Sequence, residues 1–199
     1  MLFRSPFLKC VNFARAFNAA SQEGAATQSN WYYLDAFTLD HVEEPLKAPS
    51  VFNFYLPTYT PPGTLSQTGL VAPEFQIINA ASGVTAPNYF WQAITGGLHR
   101  WGVARPERNT TLNLVQEMLM NAPPFPATDH NPPGPPLEPD ALIRRLDLAL
   151  TGGMLTPRNF QTIREAMLRI GPGTYDWPIA RLKLGIYLIV TSPEFAVQR

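Results

Sequence analysis

The chain has 199 residues, of which 45% are hydrophobic and 15% are charged. Its 15 basic residues balance its 15 acidic residues, so no global field attracts nucleic acid, and we expect no nucleic-acid partner. The length suits one globular domain over residues 1–199. Because charged residues usually make up about 25% of a globular protein, this surface must expose apolar groups that another chain, or a missing part of this one, would cover.

Several chemistries have no sequence support. Cys10 is the single cysteine and sits among apolar residues, so we expect a small core residue rather than a nucleophile. The histidines, His41, His99 and His130, share no metal-binding spacing, and no nucleophile elbow, Walker loop or dinucleotide fingerprint occurs. We therefore expect no metal and no cofactor, and we find no catalytic motif. No apolar run reaches the roughly 18 residues of a membrane span.

The N-terminal half predicts helices separated by a long loop. Pro6 opens a helix that we expect to run to about Ser21, and a second short helix is predicted from Trp31 to Phe37. A helical pattern resumes at Pro73 and stops at Gly96-Gly97. Gly83 and Pro87 are expected to break that stretch into two pieces.

Between these helices lies Ala48–Ile78, an aromatic and proline-rich stretch with almost no charge. It is too apolar for a solvated linker and too interrupted by proline for one regular element, so we predict an ordered loop pinned onto a helical body. Such loops carry function more often than the scaffold beneath them. Alternation along it predicts that Val51, Asn53 and Tyr55 face one way and Phe52 and Phe54 the other.

The C-terminal half has the clearest helical patterns. A helix is predicted over Asn113–Asn121, with Leu114, Val115, Met118 and Leu119 facing inward. Pro123–Pro139 contains eight prolines in 17 residues and is predicted to be a connector. Asp140 is expected to cap a helix that Gly152-Gly153 ends, with an inner stripe of Leu142, Ile143, Leu146, Ala149 and Leu150.

Three further helix starts share a cap residue followed by proline. Thr156-Pro157 begins a helix with Phe160, Ile163, Met167 and Ile170 on its inner face; Asp176 or Thr174 with Pro178 begins the next; and Ser192-Pro193-Glu194 begins a short last one. Leu182–Val190 is apolar enough for a buried core helix. The fold class is therefore predicted to be all-α, an irregular helical bundle with a long aromatic and proline-rich loop and a proline-rich connector.

The candidate binding residues lie on the aromatic stretch. Tyrosine faces at Tyr55 and Tyr59 can stack on sugar rings, and the Asn53 amide can supply directional hydrogen bonds, although such residues also simply pack loops onto cores. Glu74 lies in an apolar setting but follows Pro73, which favours a helix-start role over a functional one. An acidic cluster, Asp35, Asp40, Glu43 and Glu44, is interpreted as caps or solvated surface rather than a calcium or acid–base site.

Four stretches carry a family resemblance: FARAFNA (residues 13–19), APSVFNFYLPTY with PPG (48–59 and 61–63), GLVAPEFQI (69–77) and YLIVTSPEFAVQR (187–199). On these, the chain resembles the C-terminal part of the large bacterial family known as domain of unknown function 1800. Its members are usually longer, so the resemblance implies a C-terminal portion or short form. It also implies export, a periplasmic or extracellular location and a sulfatase-like partner, but no catalytic residues.

Two functions remain open. The first is a non-catalytic helical module of an exported protein, whose aromatic loop binds another chain or a missing N-terminal region. The second is part of an envelope or extracellular, hydrolase-like, polymer-processing enzyme whose site a missing N-terminal half completes, with Glu74 or the Asp40–Glu44 cluster contributing. Carbohydrate binding through Tyr55 and Tyr59 is a third, weaker hypothesis.

Overall fold

The computed structural model describes residues 2–21, 43, 46–98, 110–122 and 137–198. Helices dominate this part of the chain, which confirms the all-α class. The predicted helix over Trp31–Phe37, the three histidines and most of the proline-rich connector lie outside the described residues. In chain order, the elements are β1 (Leu2–Phe3), α1 (Pro6–Ala16), β2 (Ala20–Ser21), α2 (Thr64–Gln67), a 3-10 helix (Pro73–Ile77), α3 (Ala80–Gly96), β3 (Thr110–Thr111), α4 (Val115–Asn121), α5 (Asp140–Thr151), α6 (Pro157–Leu168), α7 (Trp177–Val190), α8 (Pro193–Ala196) and β4 (Val197–Gln198).

The chain divides into two compact units. The first comprises Met1–Asn12, Ser21–Thr111 and Val197–Arg199, and the second comprises Phe13–Ala20 and Leu112–Ala196. The two-residue strands β1 and β4 pair antiparallel within the first unit, with Leu2 opposite Gln198. The expectation of one domain over the whole chain stays a prediction.

Helix α1 ends earlier than the sequence predicts, at Ala16 rather than near Ser21. Asn18 adopts a left-handed conformation with φ of 46°, and the Ala19 N–H donates to the Ala14 carbonyl at 2.9 Å. Asparagine tolerates this conformation better than most residues, so it can end a helix as glycine does. Cys10 is buried on α1, which confirms its assignment to the core.

The predicted break at Gly83 and Pro87 is wrong, because α3 runs without interruption from Ala80 to Gly96 with Pro87 inside it. The break comes earlier, at Asn79, whose side chain accepts from the Ser82 N–H at 3.0 Å while the Ser82 hydroxyl accepts from the Asn79 N–H at 2.8 Å. This reciprocal capping box satisfies two backbone donors at once. Pro87 forfeits one backbone hydrogen bond, and the turns on both sides of it persist.

Helix α7 is the centre of the second unit and contacts α4, α5, α6 and α8. Its apolar half is buried, as predicted for Leu182–Val190. The predicted stripe of α5 is confirmed at four positions, whereas Ala149 is half-buried: the buried members are Leu142, Ile143, Leu146 and Leu150. Gly152 and Gly153 have φ of 75° and 80°, so both occupy the left-handed region that glycine readily adopts after a helix.

Asp140 is not the cap of α5. The cap position is Pro139, which forms no side-chain cap bond, and Asp140 is the first helical residue. Its carboxylate instead accepts from Arg164 Nε on α6 at 2.9 Å. Thr156 does cap α6 as predicted, accepting from the Asn159 N–H at 3.3 Å. Ile163 and Met167 on α6 are buried, while Phe160 and Ile170 are half-buried.

The predicted inner face of α4 is wrong at two of its four positions, while Leu114 and Met118 are half-buried. Val115 and Leu119 are exposed, whereas Glu117 and Asn121 are buried. Polar partners on other helices explain the reversal, because Glu117 Oε1 lies 3.3 Å from Arg145 Nε, and the Asn121 side chain donates to the Pro178 carbonyl. A hydrophobicity pattern does not reveal such polar partners.

Candidate functional site

The aromatic segment, residues 46–78, is braced internally by two contacts between its loop and its 3-10 helix. The Leu56 N–H donates to the Gln76 side-chain oxygen at 2.7 Å. The Ala72 N–H donates to the Tyr59 carbonyl at 2.9 Å, directly before the 3-10 helix begins at Pro73. These bonds link residues about 13 to 20 positions apart and give a proline-rich segment a defined conformation without long helices or strands.

The tip of this loop is a turn rather than an alternating strand, so the predicted alternation is wrong. The Asn53 N–H donates to the Ser50 carbonyl at 3.2 Å, and Asn53 is left-handed with φ of 67°. Val51, Phe52 and Asn53 are all exposed, whereas Phe54 and Tyr55 are half-buried. A turn points consecutive side chains outward, which a strand does not.

Three of the four candidate residues share an electrostatic environment. The pKa of the Tyr55 phenol is raised, first by burial and then by the negative charges of Glu43 and Glu74, while a hydrogen bond with the Asn53 side chain acts in the opposite direction. Asn53 thus acts on the Tyr55 phenol through a hydrogen bond, whereas Glu43 and Glu74 act through their charge alone. Tyr59 contributes its backbone carbonyl to the same region.

Glu43 is the described member of the predicted acidic cluster. Its carboxylate accepts from the Phe7 N–H at 2.9 Å, and the residue is 6% exposed. Phe7 lies in the first turn of α1, where a carboxylate satisfies an otherwise unpaired backbone donor and complements the helix dipole. The sequence predicted that the acidic cluster serves as caps or solvated surface. Glu43 does act as a cap, at the start of α1, and its bonded partner Phe7 lies 36 residues earlier in the chain.

Glu74 occupies the first turn of the 3-10 helix, directly after Pro73. This is the helix-start position expected from the Pro-Glu order. The charge of the same carboxylate also contributes to the raised pKa of Tyr55, after burial and the charge of Glu43. A role for Asn53, Tyr55, Tyr59 and Glu74 in binding stays a prediction.

We expect the raised pKa of Tyr55 to be measurable. A ¹³Cζ-tyrosine NMR titration, assigned by Tyr55→Phe, should place its midpoint above the ordinary value of 10.0. Glu74→Gln should move that midpoint down, because it removes one of the charges that oppose phenolate formation. Glu138→Gln, which alters an exposed carboxylate in the second unit, is the control. A Tyr55 midpoint unmoved by Glu74→Gln would contradict the arrangement.

Sequence reasoning missed a second polar centre at the start of α8. Glu194 was predicted only to begin this helix, yet it is 8% exposed and its carboxylate reaches the cap of α6. Oε1 accepts from the Thr156 hydroxyl at 2.8 Å and the Thr156 N–H at 3.2 Å, and the Asn159 amide donates to both carboxylate oxygens at 2.8 and 2.9 Å. Glu194 thus joins two helix starts.

Burial alone would raise the pKa of Glu194. Hydrogen bonds from its own backbone N–H, from Thr156 and from Asn159 outweigh that effect, so the pKa lies below its ordinary value. The surrounding donors keep this carboxylate ionised, so its role is to connect the two helix starts rather than to donate a proton.

The geometry defines a predominantly helical protein with a braced aromatic segment. Among the described helices, none is both long and apolar enough to cross a membrane. The profile of the family described as "Protein of unknown function (DUF1800)" matches residues 1–197. The chain therefore belongs to that family, as its motifs indicated. Searches of curated proteins and of solved structures gave no significant match.

Proposed function

We propose that this chain is a non-catalytic interaction module of an exported bacterial protein, and that the aromatic segment binds another protein chain. One observation carries the proposal. Eight large apolar side chains are exposed between residues 46 and 78: Leu46, Val51, Phe52, Leu56, Leu70, Val71, Phe75 and Ile78. Single exposed apolar residues are ordinary, but a concentration within one braced segment is typical of a contact surface.

The chemistry of the segment indicates the kind of partner. Lys47 and Glu74 are its charged residues, so it offers little to a polyanion or a strongly charged surface. The loop tip is a turn, and its exposed side chains are supported by the bonds at Leu56 and Tyr59. A supported apolar surface binds with little loss of conformational entropy, which favours an apolar protein surface as the partner. The family resemblance makes a sulfatase-like protein the first partner to test.

A matched pair of triple variants tests this surface. We expect Val51→Ser/Leu56→Ser/Leu70→Ser to weaken binding of a sulfatase-like protein by about tenfold or more while leaving the unfolding temperature of the chain unchanged, because these side chains are at least half exposed. The control is Val115→Ser/Leu119→Ser/Leu148→Ser, which removes three comparably exposed apolar side chains from the second unit. The measurement is titration of the immobilised chain with that sulfatase-like protein, followed by surface plasmon resonance. Equal effects of the two triple variants would contradict the proposal.

A second candidate is binding or processing of a polymer at the Tyr55 environment. The observation that favours it is the pair of carboxylates, Glu43 and Glu74, acting on one tyrosine hydroxyl. The Glu43 carboxylate accepts a hydrogen bond from the first turn of α1, so Glu74 is the carboxylate that could act on a ligand. Glu74→Gln with unchanged stability and lost retention on a glycan polymer would support this candidate, whereas lost stability would support a purely structural role.

A further inference from the structure

A separate set of buried polar atoms surrounds the start of α7. Arg181 has 0% exposure, and its Nη1 donates to the Leu137 carbonyl at 2.9 Å. Within the described part of the chain, its Nε and Nη2 have no hydrogen-bond partner; nor do Trp177 Nε1 and Asn121 Oδ1. Buried polar groups are nearly always hydrogen-bonded, so four such atoms in one region require an explanation.

These side chains share one location in the second unit. Trp177 and Arg181 are four residues apart on α7, so they lie on the same helix face. Long side chains in helices point toward the N-terminus, which places the guanidinium beside the first turn. Asn121 reaches the same turn, because its amide donates to the Pro178 carbonyl. That bond orients the amide and leaves Oδ1 as the remaining acceptor.

The local charge is positive and incompletely balanced. Burial lowers the pKa of Arg181, and the charge of Glu138 acts in the opposite direction. Glu138 is already bound to Arg164, with 2.7 Å between Oε2 and Nη2, and its side chain is 70% exposed. The positive end of the α7 dipole adds to the same potential. A buried cation without a bonded counter-ion is costly, so the region favours an anion.

The unused donors of Arg181 identify the anion. Nε and Nη2 form the side-on edge of the guanidinium, whose two parallel N–H bonds match the two oxygens of a carboxylate. We propose that Arg181 and Trp177 form a binding site for a carboxylate, with Asn121 Oδ1 accepting from a hydroxyl or amide donor next to it. Sulfate suits the site less well, because it carries no donor for Asn121 Oδ1. The site goes beyond the proposed interaction surface and lies outside the aromatic segment.

The Trp177 indole N–H gives a direct readout. In ¹H–¹⁵N NMR of the full chain, assigned by Trp177→Phe, we expect its proton resonance to move downfield and saturate as sodium lactate is added at constant ionic strength. Lactate carries a hydroxyl next to its carboxylate, so its affinity should exceed that of acetate. Sodium chloride and sodium sulfate should leave the resonance in place. A parallel titration with the amide of N-acetyl-aspartate tests whether the carboxylate can come from a peptide rather than a free acid.

Arg181→Lys keeps the charge but loses the two-pronged edge, so it should weaken lactate binding by about tenfold or more. Arg164→Lys is the control, since that arginine serves the Glu138 and Asp140 carboxylates. If Arg181→Lys does not fold, a saturable rise in the unfolding temperature of the parent chain with lactate, and none with chloride, still supports the site. No saturable response to any carboxylate, or an equal response to sulfate, would overturn it.

Discussion

Glu194→Gln is expected to lower the free energy of unfolding by about 3 kcal/mol, the scale at which buried donors lose a charged partner. The carboxylate accepts from the Thr156 N–H, the Thr156 hydroxyl and the Asn159 amide. Glutamine has nearly the same shape but one acceptor oxygen fewer, and its amide would direct a donor toward other donors. The start of α6 and the start of α8 would lose their shared contact.

Urea unfolding followed by far-ultraviolet circular dichroism measures this change. Glu165→Gln is the matched control, because Glu165 lies on α6, is exposed and has one described bond, from the Gln161 amide at 2.9 Å. Its effect should stay within about 0.5 kcal/mol, as is usual for surface substitutions. Equal losses in the two variants would show that Glu194 does not join the helix starts.

The same carboxylate should make stability depend on pH. The folded-state pKa of Glu194 is below its ordinary value of 4.5, so the folded state binds the proton less readily than the unfolded chain. Its contribution is therefore fully present above that ordinary value and is lost as pH falls through the lower folded-state pKa. The difference in stability between the parent and Glu194→Gln should shrink over that acidic range.

Gly185→Ala is the second substitution for which we expect a large change in the free energy of unfolding. A Cβ at Gly185 would lie 2.8 Å from Met167 Sδ and 3.1 Å from Met167 Cε, and Met167 has 0% exposure. Alanine normally stabilises a helix interior by about 1 kcal/mol relative to glycine. Here we expect a net loss of about 1 to 2 kcal/mol, because overpacking in a dense core exceeds that gain. The end of the Met167 side chain on α6 fills the space that a side chain at residue 185 of α7 would occupy.

A double-mutant cycle tests the explanation. Met167→Ala alone should cost about 3 kcal/mol through the cavity it leaves, and in that background Gly185→Ala should become neutral or stabilising. Gly83→Ala on α3 is the control, since a Cβ there meets nothing within 4 Å, and it should stabilise. Additive effects at Gly185 and Met167 would contradict the close approach of the two helices.

The elements that the sequence predicted best are those with complete local signals. Helix α5 ends at a glycine pair, and helices α6 and α8 begin with a cap residue followed by proline. The two longer helices, α5 and α6, also carry an apolar stripe. The extents of all three helices therefore follow from neighbouring residues. Helix α3 shows the limit of such signals. The prediction placed a break at Gly83 and Pro87 and did not consider Asn79. The capping box at Asn79 sets the helix start, and one lost backbone bond is tolerated within a helix of 17 residues.

Long-range polar contacts account for most of what the sequence did not show. Glu43, Glu117 and Glu194 each bond to a group 28 or more positions away. The positions of these glutamates in the sequence do not indicate those partners. The candidate site was predicted in part, because an apolar, proline-rich segment with little charge indicates an ordered functional loop. The contribution of Glu43 depends on a bond to Phe7, 36 positions away, whereas the turn from Ser50 to Asn53 is local and was missed because the apolar alternation indicated a strand.

Photoincorporation of an apolar dye into the isolated chain, mapped by peptide mass spectrometry, tests the interaction surface most directly. The account predicts labelling concentrated in peptides from residues 46–78, with little on the exposed faces of α4 and α5. Labelling spread evenly over the exposed apolar residues, or concentrated near Val115, Leu119 and Leu148, would contradict it. That outcome would show that the aromatic segment is no more available to an apolar partner than the rest of the surface.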